Sequence, residues 1–199
     1  MRAQAGTLSG YRFSICGHFA DNESVWQSHL SHLRDRPVHC LEIGCLEGES
    51  TIWIVAELLS HPDARLVCVD PWPDPEIEAR FDFNVRQTGR PDRIVKIKGF
   101  SQEALPAITN RFEFAYIDGS HEARDLMSDA VHTWRLLAPS GILIFDDYEW
   151  HGTTVRLPPR VGIDAFLFLW ASEIEALHRG WQVIVRKIVE RASVVRPVS

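Results

Sequence analysis

The sequence lacks the features that mark membrane-spanning or secreted proteins. No stretch approaches the roughly 18 to 20 consecutive apolar residues that a membrane-spanning helix requires, and residues 1–10 lack the apolar core of a signal peptide. Only 4 of the 199 residues are cysteine, and they form no Cys-x-x-Cys pair of the kind that binds zinc or performs redox chemistry. These absences predict a cytoplasmic protein with reduced, buried thiols at Cys16, Cys40, Cys45 and Cys68.

The chain also lacks an excess of positive charge. It contains 21 lysines and arginines against 27 acidic residues, a formal net charge of -6. Because binding to a nucleic-acid backbone depends on many lysine and arginine contacts, this composition argues against nucleic acid as the partner. It favours a small neutral or cationic ligand. The sequence leaves the oligomeric state open, and a homo-oligomer is compatible with it.

Neither an internal repeat nor a low-complexity linker interrupts the chain, whose 199 residues suit one domain. Short apolar runs alternate with helical patterns, which is typical of parallel strands joined by right-handed crossovers. The predicted strands are 38–43, 65–69, 93–98, 112–117 and 142–145, and the predicted helices are 24–33, 50–59, 76–86, 101–108, 122–137 and 163–177. Two further strands, 181–188 and 192–196, are close enough in sequence to be antiparallel.

We therefore predict an α/β fold, Rossmann-like and doubly wound, with helices on both faces of a mostly parallel sheet and an antiparallel C-terminal hairpin. Residues 1–37 would form a helical lead-in and residues 38–199 the single folded domain. Ligands of such folds bind at the carboxyl ends of the strands.

A glycine-containing loop follows the first predicted strand. Glycine allows a tight turn and a close approach of the backbone to a ligand. Dinucleotide-binding enzymes use Gly-x-Gly-x-x-Gly, which brings a pyrophosphate to a helix N-terminus. Here the pattern is Glu42-Ile43-Gly44-Cys45-Leu46-Glu47-Gly48, with different spacing and no third glycine, so a pyrophosphate is not the expected ligand.

This Glu-x-Gly-x-x-x-Gly pattern resembles motif I of the class I S-adenosylmethionine-dependent methyltransferases, and the resemblance extends from about residue 38 to 187. In that family the loop surrounds the amino-acid end of the cofactor. The resemblance also implies that Asp70, after the second strand, binds the ribose hydroxyls and that Gly99-Phe100-Ser101 lies against the adenine. The cofactor contacts implied in this way are Glu42, Gly44, Gly48, Ser50, Thr51, Asp70, Trp72, Ser101 and Asp118.

Acidic residues end two further predicted strands. Asp118 follows one, and Asp146 and Asp147 follow the other. If these strands are adjacent and parallel, three carboxylates meet at one edge of the sheet and repel one another. A hard divalent cation such as Mg²⁺ relieves this repulsion and prefers oxygen ligands. The sequence therefore predicts a magnesium site at Asp118, Asp146 and Asp147.

The run Asp118-Gly119-Ser120-His121, followed by Asp146-Asp147, resembles the metal-dependent O-methyltransferases. The catechol type has a lysine three residues after the first aspartate, whereas members acting on sugars of macrolides and related natural products have histidine there. The resemblance implies that His121 is the base that deprotonates a hydroxyl of a small-molecule substrate. An unperturbed histidine pKa of about 6.5 suits this role.

Simpler interpretations exist for each motif. Gly44, Gly48 and Asp70 could form only turns, and His121 could be an N-terminal helix residue capped by Ser120. At the level of function, the alternatives are a metal-independent methyltransferase, a non-catalytic domain that binds S-adenosylmethionine and, disfavoured by the glycine spacing, a nicotinamide oxidoreductase.

Overall fold

The computed structural model describes residues 10–14 and 19–188. Within these residues, seven strands form one sheet in the order β3-β2-β1-β4-β5-β7-β6. The strands are β1 (His39–Ile43), β2 (Arg65–Asp70), β3 (Ile94–Lys98), β4 (Phe112–Ile117), β5 (Leu137–Phe145), β6 (Ile174–Arg179) and β7 (Val183–Lys187). β1 to β5 are parallel, and β7 is antiparallel to both β5 and β6. The prediction of a mostly parallel sheet with an antiparallel C-terminal hairpin is confirmed.

Six α-helices accompany these strands in the described part of the chain. They are α1 (Phe19–Leu30), α2 (Glu49–Leu58), α3 (Pro75–Gln87), α4 (Ser101–Ala104), α5 (Ala123–Leu136) and α6 (Pro159–Leu169). The start of α3 shows how the sequence sets a helix boundary, because Asp74 accepts a hydrogen bond from the backbone N–H of Glu76 and Pro75 occupies the first turn. None of the described helices combines the length and apolar character needed to cross a membrane.

The core lies on both faces of the sheet. On one face, Trp26 of α1 and Trp53 of α2 pack with Phe114 of β4. On the other face, Trp134 of α5 and Phe166 of α6 pack with apolar side chains of β4 and β5. Helices cover both faces, as the doubly wound prediction requires.

The chain direction across the sheet reverses between β1 and β4. From β1 the chain builds outward through β2 to β3, and it then returns to place β4 on the other side of β1. In open α/β sheets, the loops at such a reversal diverge and leave a crevice at the carboxyl ends of the strands. The loops after Ile43 and Ile117 therefore bound the expected ligand site.

The C-terminal region corrects one prediction. The predicted helix 163–177 ends at Leu169, and residues 174–179 form β6. The first predicted hairpin strand, 181–188, corresponds to β7, but its partner is β6 and precedes it in the chain. The other predicted strand, 192–196, lies outside the described residues, as does Cys16.

Candidate functional site

A cavity of about 540 Å³ opens at the carboxyl edge of the sheet, beside the β1–β4 reversal. Its lining comes from the loops after β1, β2, β3, β4 and β5. Most of the predicted site residues line it, although they are spread over more than 100 positions of the sequence. These lining residues are Gly44, Ser50, Asp70, Ser101, Asp118, His121, Asp146 and Asp147.

Gly44 sits where the loops after β1 and β4 touch. Its φ of 82° lies in the left-handed region, and a Cβ there would overlap the backbone carbonyl of Asp118. A larger residue would therefore be strained and would force the two loops apart. The simple turn interpretation of Gly44 is incomplete, because the glycine also permits this close approach.

Asp70 connects the loop after β1, residues 44–48 (the glycine loop), to the end of β2 by hydrogen bonds. Its carboxylate accepts hydrogen bonds from the backbone N–H groups of Cys45 (2.8 Å), Leu46 (3.1 Å) and Trp72 (2.7 Å). These contacts hold the loop in one conformation while Asp70 still lines the cavity. Asp70 thus fixes the conformation of the loop that a ligand in the cavity would contact.

Four predicted cofactor contacts, Glu42, Gly48, Thr51 and Trp72, do not line the cavity. Glu42 is fully buried beneath the loop and accepts hydrogen bonds from the hydroxyls of Ser50 and Thr51. Burial raises the pKa of Glu42 to about 7. Trp72 is also buried and donates its indole N–H to the carbonyl of Leu46 (2.8 Å). Glu42 and Trp72 thus support the loop from below, whereas Gly48 is the last loop residue before α2.

The acidic residues after β4 and β5 meet in the cavity. Ile117 and Phe145 are partners in the parallel pairing of these strands, so Asp118 and Asp146 emerge side by side. The hydroxyl of Tyr116 contacts the carboxylates of both, at 3.1 Å from Asp118 Oδ2. Burial, with the charges of Asp146 and Asp147, raises the pKa of Asp118 well above its ordinary value. Burial is also the main cause of a raised pKa at Asp146.

His121 lies in the loop between β4 and α5, since the helix begins only at Ala123. Its Nε2 is 2.8 Å from Asp147 Oδ2, and its ring packs against Trp150 with centroids 4.6 Å apart. The hydrogen bond with Asp147 raises the pKa of His121. Asp147 has a left-handed backbone (φ 58°), a conformation that aspartate tolerates better than most residues.

The donor chemistry of this group fits a hard divalent cation. All three predicted ligands are carboxylates that line the cavity, and a cation there would offset their mutual repulsion, which adds to burial in raising the pKa of Asp118. The three carboxylates do not form a compact ligand set in the structure, and Asp147 pairs with His121 instead.

Elsewhere in the described residues, Glu42, Cys45 and Cys68 do have donor atoms within 4.8 Å of one another. Burial raises the pKa of all three, so the two thiols are protonated near neutral pH and the group is poorly suited to a metal.

Sequence reasoning missed several residues of the cavity. Phe13 and Phe19 reach it from the N-terminal region, Trp181 from the turn before β7, and Glu47 from the glycine loop. Phe100, which the resemblance placed against the adenine, lines it with 60% of its surface exposed, whereas Trp72 does not line it. No sequence pattern distinguishes Phe13, Phe19 and Trp181 from core residues, because their position at the cavity depends on tertiary packing.

Comparison with known proteins gives the class. The sequence profile of the methyltransferase domain family matches residues 41–148, a segment that extends from β1 to just after β5 and includes the glycine loop and all three aspartates. The chain belongs to this family. The resemblance to class I S-adenosylmethionine-dependent methyltransferases that the motifs implied is thereby confirmed.

Individual relatives extend this result. The chain is 30% identical over 164 residues to the O-methyltransferase hkm8 of Aspergillus hancockii, an alignment that covers 82% of this chain and 56% of that protein. The chain thus spans little more than half the length of this relative. Its fold is similar to that of an O-methyltransferase from Bacillus cereus in complex with S-adenosylhomocysteine (SAH), with a TM-score of 0.67, 19% identity and coverage of 89% and 84% of the two chains.

The fold is also similar to that of the MycE methyltransferase of mycinamycin biosynthesis, whose structure is a complex with Mg, SAH and mycinamycin VI. The TM-score is 0.67 at 16% identity, and the match covers 92% of this chain and 54% of MycE. At these identities, the two structural matches establish the shared fold.

Proposed function

We propose that this protein is an S-adenosylmethionine-dependent O-methyltransferase that acts on a hydroxyl group of a small molecule. One observation carries the proposal: His121 and three carboxylates face the same cavity as the Gly44 loop of a methyltransferase-family fold. The relative hkm8 is an O-methyltransferase, and the Bacillus cereus and MycE structures bind SAH in this fold. These relatives favour the same cofactor and the same acceptor atom here.

The cofactor would lie across the carboxyl ends of β1, β2 and β3. In this arrangement Gly44 and Ser50 contact its amino-acid end, Asp70 its ribose, and Ser101 with the exposed ring of Phe100 its adenine. The sulfonium methyl group would then point along the cavity toward Asp118 and His121. Glu42 and Trp72 act through the loop that they support.

The chemistry follows from the position of His121. Because Nε2 donates a hydrogen bond to Asp147, Nδ1 is the basic nitrogen of the neutral imidazole. It accepts the proton of the substrate hydroxyl, the oxygen attacks the methyl carbon, and the carbon–sulfur bond breaks with its electrons remaining on sulfur. The products are a methyl ether, SAH and a proton on His121. Much of the rate enhancement comes from holding the two reactants aligned in the absence of water.

We further propose that Asp118, Asp146 and Asp147 hold a divalent cation. When bound, such a cation would lower the pKa of a coordinated hydroxyl. The MycE complex contains Mg in the same fold, and the three carboxylates are oxygen donors of the type that Mg²⁺ prefers.

A metal-independent mechanism is the second candidate, and the 2.8 Å contact between His121 and Asp147 favours it. In this mechanism Asp147 orients the imidazole and stabilises its protonated form. Asp118 and Asp146 then have only a structural role.

Labelled methyl transfer tests these proposals. The protein is incubated with methyl-labelled S-adenosylmethionine and a small-molecule extract, with Mg²⁺ or with excess chelator. We expect label in a small-molecule product that is stable to mild base, because an ether resists hydrolysis and a methyl ester does not. Loss of transfer on chelation, restored by Mg²⁺, supports the cation. Transfer that survives chelation selects the metal-independent mechanism, and cofactor binding without transfer indicates a non-catalytic domain.

The role of the base is tested in the same assay. His121→Ala should slow transfer by about 10²- to 10⁴-fold, the usual contribution of a general base. The control is His132→Ala, which removes a histidine on α5 whose ring contacts the carbonyl of Ser128 outside the cavity. Equal rates in the two variants would exclude His121 as the base.

A further inference from the structure

We infer that Tyr116 and Gln182 are positioning residues, which fix the carboxylate of Asp146 so that it can serve the cation site. The inference rests on the proposed cation site and deepens it, because it assigns a role to two residues that carry no recognisable motif. Neither would touch the cation. They would act through Asp146 and, for Tyr116, through Asp118.

The carboxylate of Asp146 is held from both of its oxygens. Oδ2 accepts hydrogen bonds from the hydroxyl of Tyr116 and from the side-chain amide of Gln182, the latter at 3.0 Å. Oδ1 accepts one from the backbone N–H of Asp147 at 2.7 Å. Three donors on two oxygens leave the carboxylate little rotational freedom, and one lone pair, on Oδ1, remains for a cation.

The orientation of Gln182 is itself determined by a further residue. Its side-chain oxygen accepts a hydrogen bond from the indole N–H of Trp26 at 2.7 Å. Because an indole can only donate, the oxygen of Gln182 must face Trp26 and its NH₂ group must face Asp146. Trp26, Gln182 and Tyr116 are each at most 2% exposed, so water cannot replace these contacts.

Tyr116 connects the acidic residues of two strands. Its hydroxyl contacts Asp146 and also lies 3.1 Å from Asp118 Oδ2. Two carboxylates that close repel one another and would separate if nothing held them. The phenol bridges them where the apolar core meets the cavity wall, and phenylalanine would fill the same space.

A purely structural role predicts a different outcome. Buried polar groups cost free energy unless they are paired, and Tyr116 packs with the apolar side chains of Trp26 and Phe114. If the hydroxyl and amide served packing alone, isosteric apolar substitutions would change stability without a selective effect on cation binding. The two roles can therefore be separated by measuring the cation directly.

The test measures Mn²⁺ binding to the full chain in the presence of SAH, by the electron paramagnetic resonance signal of the free ion. Tyr116→Phe removes only the hydroxyl, and Gln182→Leu removes the amide. We expect the Kd for Mn²⁺ to rise by about 10- to 100-fold, as is usual when residues that orient a ligand are lost, with the Kd for SAH unchanged. The matched control is Tyr148→Phe, whose buried hydroxyl pairs with Asp164 outside the cavity.

The possible outcomes separate the inference from the proposed function. If the wild-type protein does not bind Mn²⁺, the cation site is wrong and the inference falls with it. If the wild type binds Mn²⁺ and Tyr116→Phe binds it equally well, only the inference is overturned. An equal loss in Tyr148→Phe would also overturn it. Should Tyr116→Phe fail to fold, Gln182→Leu gives the same decision.

Discussion

At the scale of single residues, Glu42 shows how a buried acid can support a ligand site without facing it. Its carboxyl group accepts hydrogen bonds from Ser50 and Thr51 at the start of α2, and so it ties β1 to that helix. Burial raises its pKa from an ordinary value of 4.5 to about 7. The folded chain therefore binds this proton more tightly than the unfolded chain.

This difference predicts a pH-dependent stability. The contribution of Glu42 that favours the folded state is complete below pH 4.5 and is lost as the pH rises to about 7. The side chain in Glu42→Gln does not titrate, so the variant lacks this loss of stability. The free energy of unfolding of Glu42→Gln minus that of the wild type should therefore increase between pH 4.5 and 7, by at most on the order of 3 kcal/mol. Urea unfolding at a series of pH values measures this. The control is Glu57→Gln, at a partly exposed acid paired with Arg34, and a parallel change in both variants would contradict the prediction.

The sequence predicted that acidic residues follow β4 and β5. It did not predict the residues that donate hydrogen bonds to these carboxylates. Asp118, Asp146 and Asp147 follow recognisable strands, and parallel strands end at the same edge, so their convergence could be predicted. Tyr116 looked like any other core residue of β4. Gln182 is 36 positions from Asp146, and nothing local in the sequence indicates that the two residues meet.

At the scale of elements, the segment 10–14 is hydrogen-bonded to the rest of the fold beside the cavity. The buried side chain of Asn84 bonds both backbone groups of Arg12, accepting from its N–H at 2.7 Å and donating to its carbonyl at 2.8 Å. Glu47 accepts a hydrogen bond from the backbone N–H of Ser14 at 2.7 Å. Between these two attachments, Phe13 lines the cavity. The segment is thus pinned to α3 and to the glycine loop.

Loosening this segment should accelerate ligand exchange. Asn84→Ala removes both bonds to Arg12 and also the bond that the amide of Asn84 donates to the carbonyl of Glu47 at 2.8 Å. We therefore expect the dissociation rate of SAH to rise at least about five- to tenfold, equivalent to roughly 1 to 1.4 kcal/mol of hydrogen bonding. Stopped-flow displacement measures the rate. Asn110→Ala is the control, since Asn110 lines a separate cavity. An unchanged rate, with faster hydrogen exchange in residues 10–14, would show that the segment does not limit exchange.

The elements from β1 to β5 could be predicted because each has its own periodicity and turn residues. The region after α6 could not. Apolar residues at Ile163, Phe166, Trp170 and Ile174 fit a helical period, and neither glycine nor proline lies between Leu169 and Ile174 to indicate an end. The helix nevertheless stops, because Ile174 begins a strand that pairs with β7. Pairing with a later strand decided the structure there, and local propensity did not.

At the scale of the whole molecule, acidic residues without a balancing lysine or arginine are concentrated in the cavity lining. No lysine or arginine is found among the described residues that line it. Arg80 lies behind Glu47 and pairs with it. The acidic lining residues are Glu47, Glu49, Asp70, Asp118, Asp125, Asp146 and Asp147.

This charge should distinguish the cofactor from its product, since the sulfonium of S-adenosylmethionine is cationic and the thioether of SAH is neutral. We expect S-adenosylmethionine to bind more tightly than SAH at low ionic strength, in the presence of chelator. The ratio of the two Kd values should approach one as salt shortens the Debye length from about 10 Å at 0.1 M to about 3 Å at 1 M. Calorimetric titrations of both ligands measure this, and a ratio independent of salt would contradict it.

The central claim is that an S-adenosyl nucleoside occupies the crevice between the loops after β1 and β4. The most direct measurement is the calorimetric binding of SAH to wild type, Gly44→Ala and Gly89→Ala. Both glycines have positive φ, but an added Cβ meets the Asp118 carbonyl only at Gly44 and finds open space at Gly89. We predict saturable binding to the wild type and to Gly89→Ala, and loss of binding in Gly44→Ala. Failure of the wild type to bind SAH, or equally tight binding by Gly44→Ala, would contradict the claim.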